Sequence, residues 1–213
     1  AYRGEKKRNL NYSMICSNRN IFFGPANRSL YNERQKVINY CEENPHIDFH
    51  LYGVGWNLKD IKSGIFSRIK YEMQKRGYIS LKREKPLKNY RGIIDDKNEI
   101  LKASKFNFCF ENTTSYSGYV SEKIWDSIAS LAIPVYWPSW EIPEDYLPSD
   151  CYINASKFAN TKELFDYLEN ISEEELEERR KKLYKLAKSK KNEMSIESYT
   201  DLILKDIQKD INS

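Results

Sequence analysis

The chain has 213 residues, 40% of them hydrophobic and 31% charged, with 35 Lys and Arg against 31 Asp and Glu for a formal net charge of +4. That length can bury a core without covalent staples, and the composition excludes a disordered chain. The near-balanced charge excludes the one-sided basic stripe of a nucleic-acid binder, while the small basic excess suits a diphosphate site or loose contact with an anionic membrane surface.

Apolar runs alternate with helical patterns, which predicts an α/β fold with a largely parallel sheet. The first strand is expected at Tyr12–Cys16, followed by a polar loop over 17–27. A helix follows over about 29–43, where Leu30, Val37, Ile38 and Cys41 form a stripe, and Pro45 blocks its continuation. Alternating apolar residues predict the next strand at Ile47–Tyr52, ahead of Gly53 and Gly55. Over 56–91 the periodicity dissolves into mixed charge and scattered aromatics, and no element is assigned; a long connection of this kind carries function or moves.

Order returns with a short helix at Asp95–Ala103, whose leading aspartates complement a helix N-terminus. A strand at Phe106–Phe110, a polar loop and a helix over about 120–131 follow, then a strand at Ile133–Trp137 with Pro134 at its beginning. A short strand is expected at Cys151–Asn154, and a helix to about Asn170 with Thr161 as its cap. Ser172 and Glu175 form a capping-box pattern opening a helix that is acidic first and basic last, which matches its dipole. A last amphipathic helix is predicted over about 195–211.

Cys16, Cys41, Cys109 and Cys151 lie far apart without metal spacing and read as reduced, structural cysteines. His46 and His50 share one short segment and make a zinc site improbable, and no Asp-x-Asp suits a nucleotide-bound cation. No run approaches the roughly 20 apolar residues that span a bilayer. The start, Ala1-Tyr2-Arg3-Gly4, reads as a cut edge, so any anchor or partner domain is expected outside this chain. A Lys-, Asn- and Ile-rich chain with unpaired cysteines points to a microbial cytosolic protein beside the inner membrane; a fragment from the Golgi lumen would more often carry disulfides.

The most informative stretch is 110–123. A buried strand ends, a polar loop intervenes, and a helix begins near Val120. Ligands of open α/β sheets bind outside the carboxyl ends of strands, and helix N-termini there offer N–H groups to phosphates. Lys123 in the first turn opposes the dipole unless it meets an anion, and Glu122 beside it suits ribose hydroxyls; a local Glu–Lys surface pair is the alternative reading of the same residues.

Phe110-Glu111-Asn112, Tyr119-Val120-Ser121-Glu122-Lys123 and Pro134-Val135-Tyr136-Trp137 together resemble the donor-binding signature of the α1,3/4-fucosyltransferases, glycosyltransferase family 10. The resemblance is clearest over 105–158. Ser121 stands where that family usually has Thr, and Pro138 replaces the usual Gly. It implies a Rossmann-like parallel sheet flanked by helices, the C-terminal half of a GT-B glycosyltransferase. Residues 1–192 would form the nucleotide-sugar domain, and 193–213 a helix packing on it or on an N-terminal acceptor domain.

The implied reaction is inverting transfer of fucose from GDP-fucose, as donor substrate, to a glycan hydroxyl, with no cofactor and no metal. The resemblance gives Glu122 the ribose, Lys123 the diphosphate, and Asn112 and Tyr119 the wall of the nucleotide or fucose pocket. It gives Arg34, with Arg28 as second choice, the charge on the leaving GDP. The general base would lie in the acceptor domain, which this chain is expected to lack. The same scaffold with another nucleotide sugar and a non-catalytic nucleotide-binding module are the alternatives; a response-regulator-like domain is disfavoured because no acidic pocket follows the first strand.

Overall fold

Six strands form one all-parallel sheet in the order β3-β2-β1-β4-β5-β6. The structure is a computed structural model that describes residues 8–18, 29–57 and 85–193, with isolated positions 69, 73, 76 and 78. The strands are β1 (Leu10–Ile15), β2 (Phe49–Tyr52), β3 (Tyr90–Gly92), β4 (Ser104–Phe108), β5 (Ile133–Tyr136) and β6 (Ile153–Asn154). The helices are α1 (Tyr31–Glu43), α2 (Lys97–Ala103), α3 (Glu122–Ala129), α4 (Thr161–Glu169) and α5 (Glu173–Glu193).

Chain order follows from the sheet. The chain moves outward from β1 to β2 and β3, then returns to the other side of β1 and moves outward again through β4, β5 and β6. Parallel crossovers are right-handed, so reversing the direction of travel puts the two sets of helices on opposite faces. Accordingly α1 packs with α4, while α3 packs with α2 and α5. Phe165 of α4 lies 5.5 Å from Phe108 and 5.2 Å from Tyr12, which seals that helix to the middle of the sheet. The strand centres are correspondingly dry: Met14, Phe49, Leu51, Val135 and Tyr136 are essentially inaccessible.

Several expected boundaries move for identifiable reasons. β4 begins at Ser104 because it pairs with β1 from Leu10 onward. Cys109 and Phe110, expected inside the strand, are buried but lie beyond its end. They predict burial correctly and strand incorrectly. β3 arises in the stretch that gave no pattern, as a three-residue edge strand without apolar alternation. Cys151 belongs to a 3-10 turn, which shortens β6 to two residues. The cap of α4 is Asn160, whose side chain accepts from the Glu163 N–H, in place of Thr161.

Other expectations hold. Asp96 caps α2 by accepting from the Asn98 N–H at 2.8 Å, and Ser172 caps α5 by accepting from the Glu175 N–H at 3.2 Å. All four cysteines are free. Arg8, buried just before β1, donates to the carbonyls of Leu101, Ser104 and Ser130 at 2.7–2.9 Å and ties α2 and the end of α3 to the first strand. The helix expected over 195–211, and with it the domain boundary at 192–193, lies outside the described residues. Among the described residues no helix is long and apolar enough to cross a membrane.

Candidate functional site

Where β1 and β4 lie side by side, the chain leaves the sheet in opposite directions, and among the described residues no crossover fills the space above their carboxyl ends. An open α/β sheet forms its ligand crevice at such a switch point. Here a cavity of about 680 Å³ opens there. Ile15, Cys16 and Ser17 from the end of β1 and Phe108 and Cys109 from the end of β4 line it, with α1, the first turn of α3, and residues 93–98 running into the first turn of α2 as walls. Its floor is polar and satisfied: the Ser13 hydroxyl donates to Asn107 Oδ1 at 3.2 Å, and Asn107 Nδ2 donates to the Ser127 hydroxyl at 2.6 Å.

Gly53, after β2, also lines the cavity. Its φ of +128° lies in the region that disfavours side chains, and an added Cβ would stand 2.1 Å from the Cys16 carbonyl oxygen. The close approach of those two chain segments requires glycine. The Cys16 thiol, half-buried on the same wall, is pushed up to about 11 by burial, with Arg34 and Lys123 pulling the other way.

The loop from β4 to α3 is fastened at both ends. On one side the Leu30 N–H donates to the Asn112 carbonyl at 3.1 Å, and Ser29 bridges Thr113. Arg34 completes this fastening: its Nη2 donates to the carbonyls of Phe110 (2.7 Å) and Glu111 (2.8 Å) and to Asn112 Oδ1 (2.8 Å). The guanidinium also sits 4.9 Å over the Tyr31 ring. The expected phosphate arginine is therefore a buried strut, 4% exposed, that lines the crevice but spends one nitrogen holding the loop. Arg28 lies outside the described residues.

On the other side stands Glu111, to which sequence reasoning gave no role. Its carboxylate is fully buried, and Oε1 accepts from the Ser121 N–H (2.8 Å), the Ser121 hydroxyl (3.0 Å) and the Tyr136 hydroxyl (2.8 Å). Burial, then the Glu111 carboxylate beside it, push the Tyr136 phenol far above its ordinary value, so it remains a donor. Glu111 Oε2 lies 3.5 Å from Lys123 Nζ and has no hydrogen bond.

The remaining candidates divide. Asn112, Glu122 and Lys123 line the cavity together with Arg34. Lys123 Nζ donates to the Ser121 hydroxyl at 3.0 Å and keeps 21% of its side chain open to solvent. Glu122 is exposed in the first turn of α3. Tyr119 is not among the lining residues; its carbonyl accepts from the Ser139 hydroxyl at 2.6 Å. Its phenol is pushed up by burial, then by Glu111 and Glu122. Among the described residues no group of three or more His, Cys, Asp or Glu is arranged to hold a metal ion.

The missed features left a partial trace. Arg34 occupies the gap between Leu30 and Val37 in the buried stripe of α1, so helical spacing alone points it inward. Nothing local marks Glu111, because its partners come from the far end of the loop and from β5.

Similarity to known proteins agrees with this geometry. The chain is 45% identical over 78 residues to the alpha-(1,3)-fucosyltransferase FucT of Helicobacter pylori, an alignment covering 37% of this chain and 16% of that protein. It is 33% identical over 78 residues to human FUT6, a 4-galactosyl-N-acetylglucosaminide 3-alpha-L-fucosyltransferase, covering 36% of this chain and 21% of the relative. The chain thus matches well under two thirds of the length of either. In fold it is similar to TarM, with a TM-score of 0.55 at 13% identity over 95% of this chain and 36% of that one, and its parallel sheet with flanking helices has the Rossmann-like form of a GT-B scaffold. Residues 20–200, most of the chain, match the family described as glycosyltransferase family 10 (fucosyltransferase) C-term, and the chain belongs to that family.

Proposed function

We propose that the chain is the donor-binding part of an inverting fucosyltransferase and holds GDP-fucose in the crevice between β1 and β4. The observation that carries this reading is the grouping of Lys123, Glu122 and Asn112 around the first turn of α3, over the switch point of the sheet. A helix N-terminus and an ammonium group favour the diphosphate. Glu122, one residue away and exposed, accepts from ribose hydroxyls. Arg34 fixes the loop that carries these groups and itself lines the same cavity.

In the transfer, the acceptor oxygen forms its bond to C1 of fucose as the C1–O bond to the β-phosphate breaks. The leaving GDP takes that electron pair, and Lys123 stabilises the charge that builds on its phosphate oxygens. The proton of the acceptor hydroxyl goes to a general base, which this reading assigns to an acceptor domain outside the chain. The glycan acceptor binds between the two halves. The four free cysteines suit a reducing, cytosolic setting.

Calorimetric titration with GDP, GDP-fucose, GDP-mannose and UDP-galactose tests the reading. Guanine nucleotides bind selectively, and Lys123→Ala weakens GDP by about tenfold or more, since a hydrogen bond to a charged group is worth about 1.5–3 kcal/mol. Equal binding of UDP-galactose, or no nucleotide binding by a folded chain, overturns it.

A further inference from the structure

Glu111 holds the loop from β4 to α3 in a way that a neutral side chain could copy. All three of its hydrogen bonds arrive at Oε1, from the Ser121 N–H, the Ser121 hydroxyl and the Tyr136 hydroxyl. The amide oxygen of glutamine would accept the same three. What only a carboxylate supplies is charge, and the second oxygen, buried and without a hydrogen bond, directs that charge at Lys123 Nζ 3.5 Å away. A buried carboxylate with one unsatisfied oxygen is costly to keep. Its neighbour is the ammonium group assigned to the diphosphate.

Resting on the donor reading above, we propose that Glu111 is a positioning residue for the diphosphate. It fixes Lys123 and the first turn of α3 at the crevice, and its negative charge partly offsets the cation there. The diphosphate meets a moderated site instead of a bare cation, and GDP leaves more readily after transfer. The Glu111 carboxylate touches neither sugar nor phosphate; it acts through Lys123 and Ser121.

The proposal predicts a direction that a merely structural role would not produce. Glu111→Gln keeps the Oε1 contacts, removes the repulsion, and binds both GDP and inorganic pyrophosphate more tightly, by about tenfold for a charge acting at short range near a protein surface. Calorimetry on folded Glu111→Gln that finds affinity unchanged or reduced overturns it, as does a failure of wild type and variant alike to bind pyrophosphate. Binding of pyrophosphate without selectivity for GDP would remove the nucleotide reading and leave this one standing. A second measurement covers a poorly folding single variant. Lys123→Met strands the buried carboxylate and melts below wild type, and Lys123→Met with Glu111→Gln recovers the lost melting temperature. A double variant no more stable than Lys123→Met sinks the pairing.

Discussion

Two helices of this molecule begin in opposite ways. α5 opens with Glu173, Glu174 and Glu175, and Ser172 caps it with a bond to the Glu175 N–H. Its positive end is met by acids and its orphan donors are served locally. α3 opens with Glu122 and Lys123, and its N-cap residue Ser121 makes no capping bond to the first turn. The Ser121 hydroxyl turns to Glu111 instead, and it accepts from the very lysine that the helix dipole disfavours. One helix start is completed by its own sequence. The other is left open toward a crevice, with its cost borne by a strut and a buried carboxylate brought from elsewhere in the chain. That contrast distinguishes a terminus closed by its own sequence from one that opens on a cavity lined by Glu122 and Lys123.

The contrast can be broken at its supports. Arg34→Ala removes the donor shared by two backbone carbonyls and Asn112, so we expect about 3 kcal/mol lost from unfolding free energy, read by urea denaturation. GDP binding should weaken with it, because the loop into α3 loses its anchor. Glu122→Ala comes next. GDP affinity should fall by about 1.5 kcal/mol, near tenfold, while pyrophosphate binding stays constant, as the proposed contact with ribose and not phosphate requires. A matching loss for pyrophosphate would count against that role.

The other helix start should answer only in stability. Ser172→Ala is expected to cost about 1 kcal/mol in thermal or urea unfolding and to leave GDP affinity unchanged. Smallest of all, Glu174→Lys should cost about 0.5 kcal/mol at low salt and little at high salt, as expected for a charge facing a helix dipole. If either change at α5 altered nucleotide binding, the separation between the two ends would fail.

The sequence was most readable where burial and periodicity coincide. β1, β2 and β5 are central strands with apolar runs, and all three lie within a residue or two of expectation. β3 could not be read, since an edge strand of three residues carries neither burial nor alternation. Cys109 and Phe110 misled because apolar residues continue past the end of β4, where burial and single backbone bonds to Val135 and Trp137 persist after the regular strand has stopped. At the site, the place of Lys123 and Glu122 on the first turn of a helix was legible because the pattern of a helix start is local. The role of Arg34 was legible only in part: its stripe position signals burial, but its acceptors lie 76–78 residues away. Glu111 was legible only as part of a motif and its role not at all, because a hydrogen bond from Tyr136 depends on how β4 and β5 align.

The place of β1 has a consequence for how the protein comes into being. The strand comes first of the six in chain order yet lies third in the sheet, and Arg8 just before it finds its carbonyl acceptors at Leu101, Ser104 and Ser130, 93–122 residues on. Until β4 has been made, nothing can close the gap beside β1, and the crevice between the two strands does not exist. Such long-range pairing makes folding slow. A ligand of the crevice that binds only the finished pair stabilises only chains that have closed it, and so reports completed assembly.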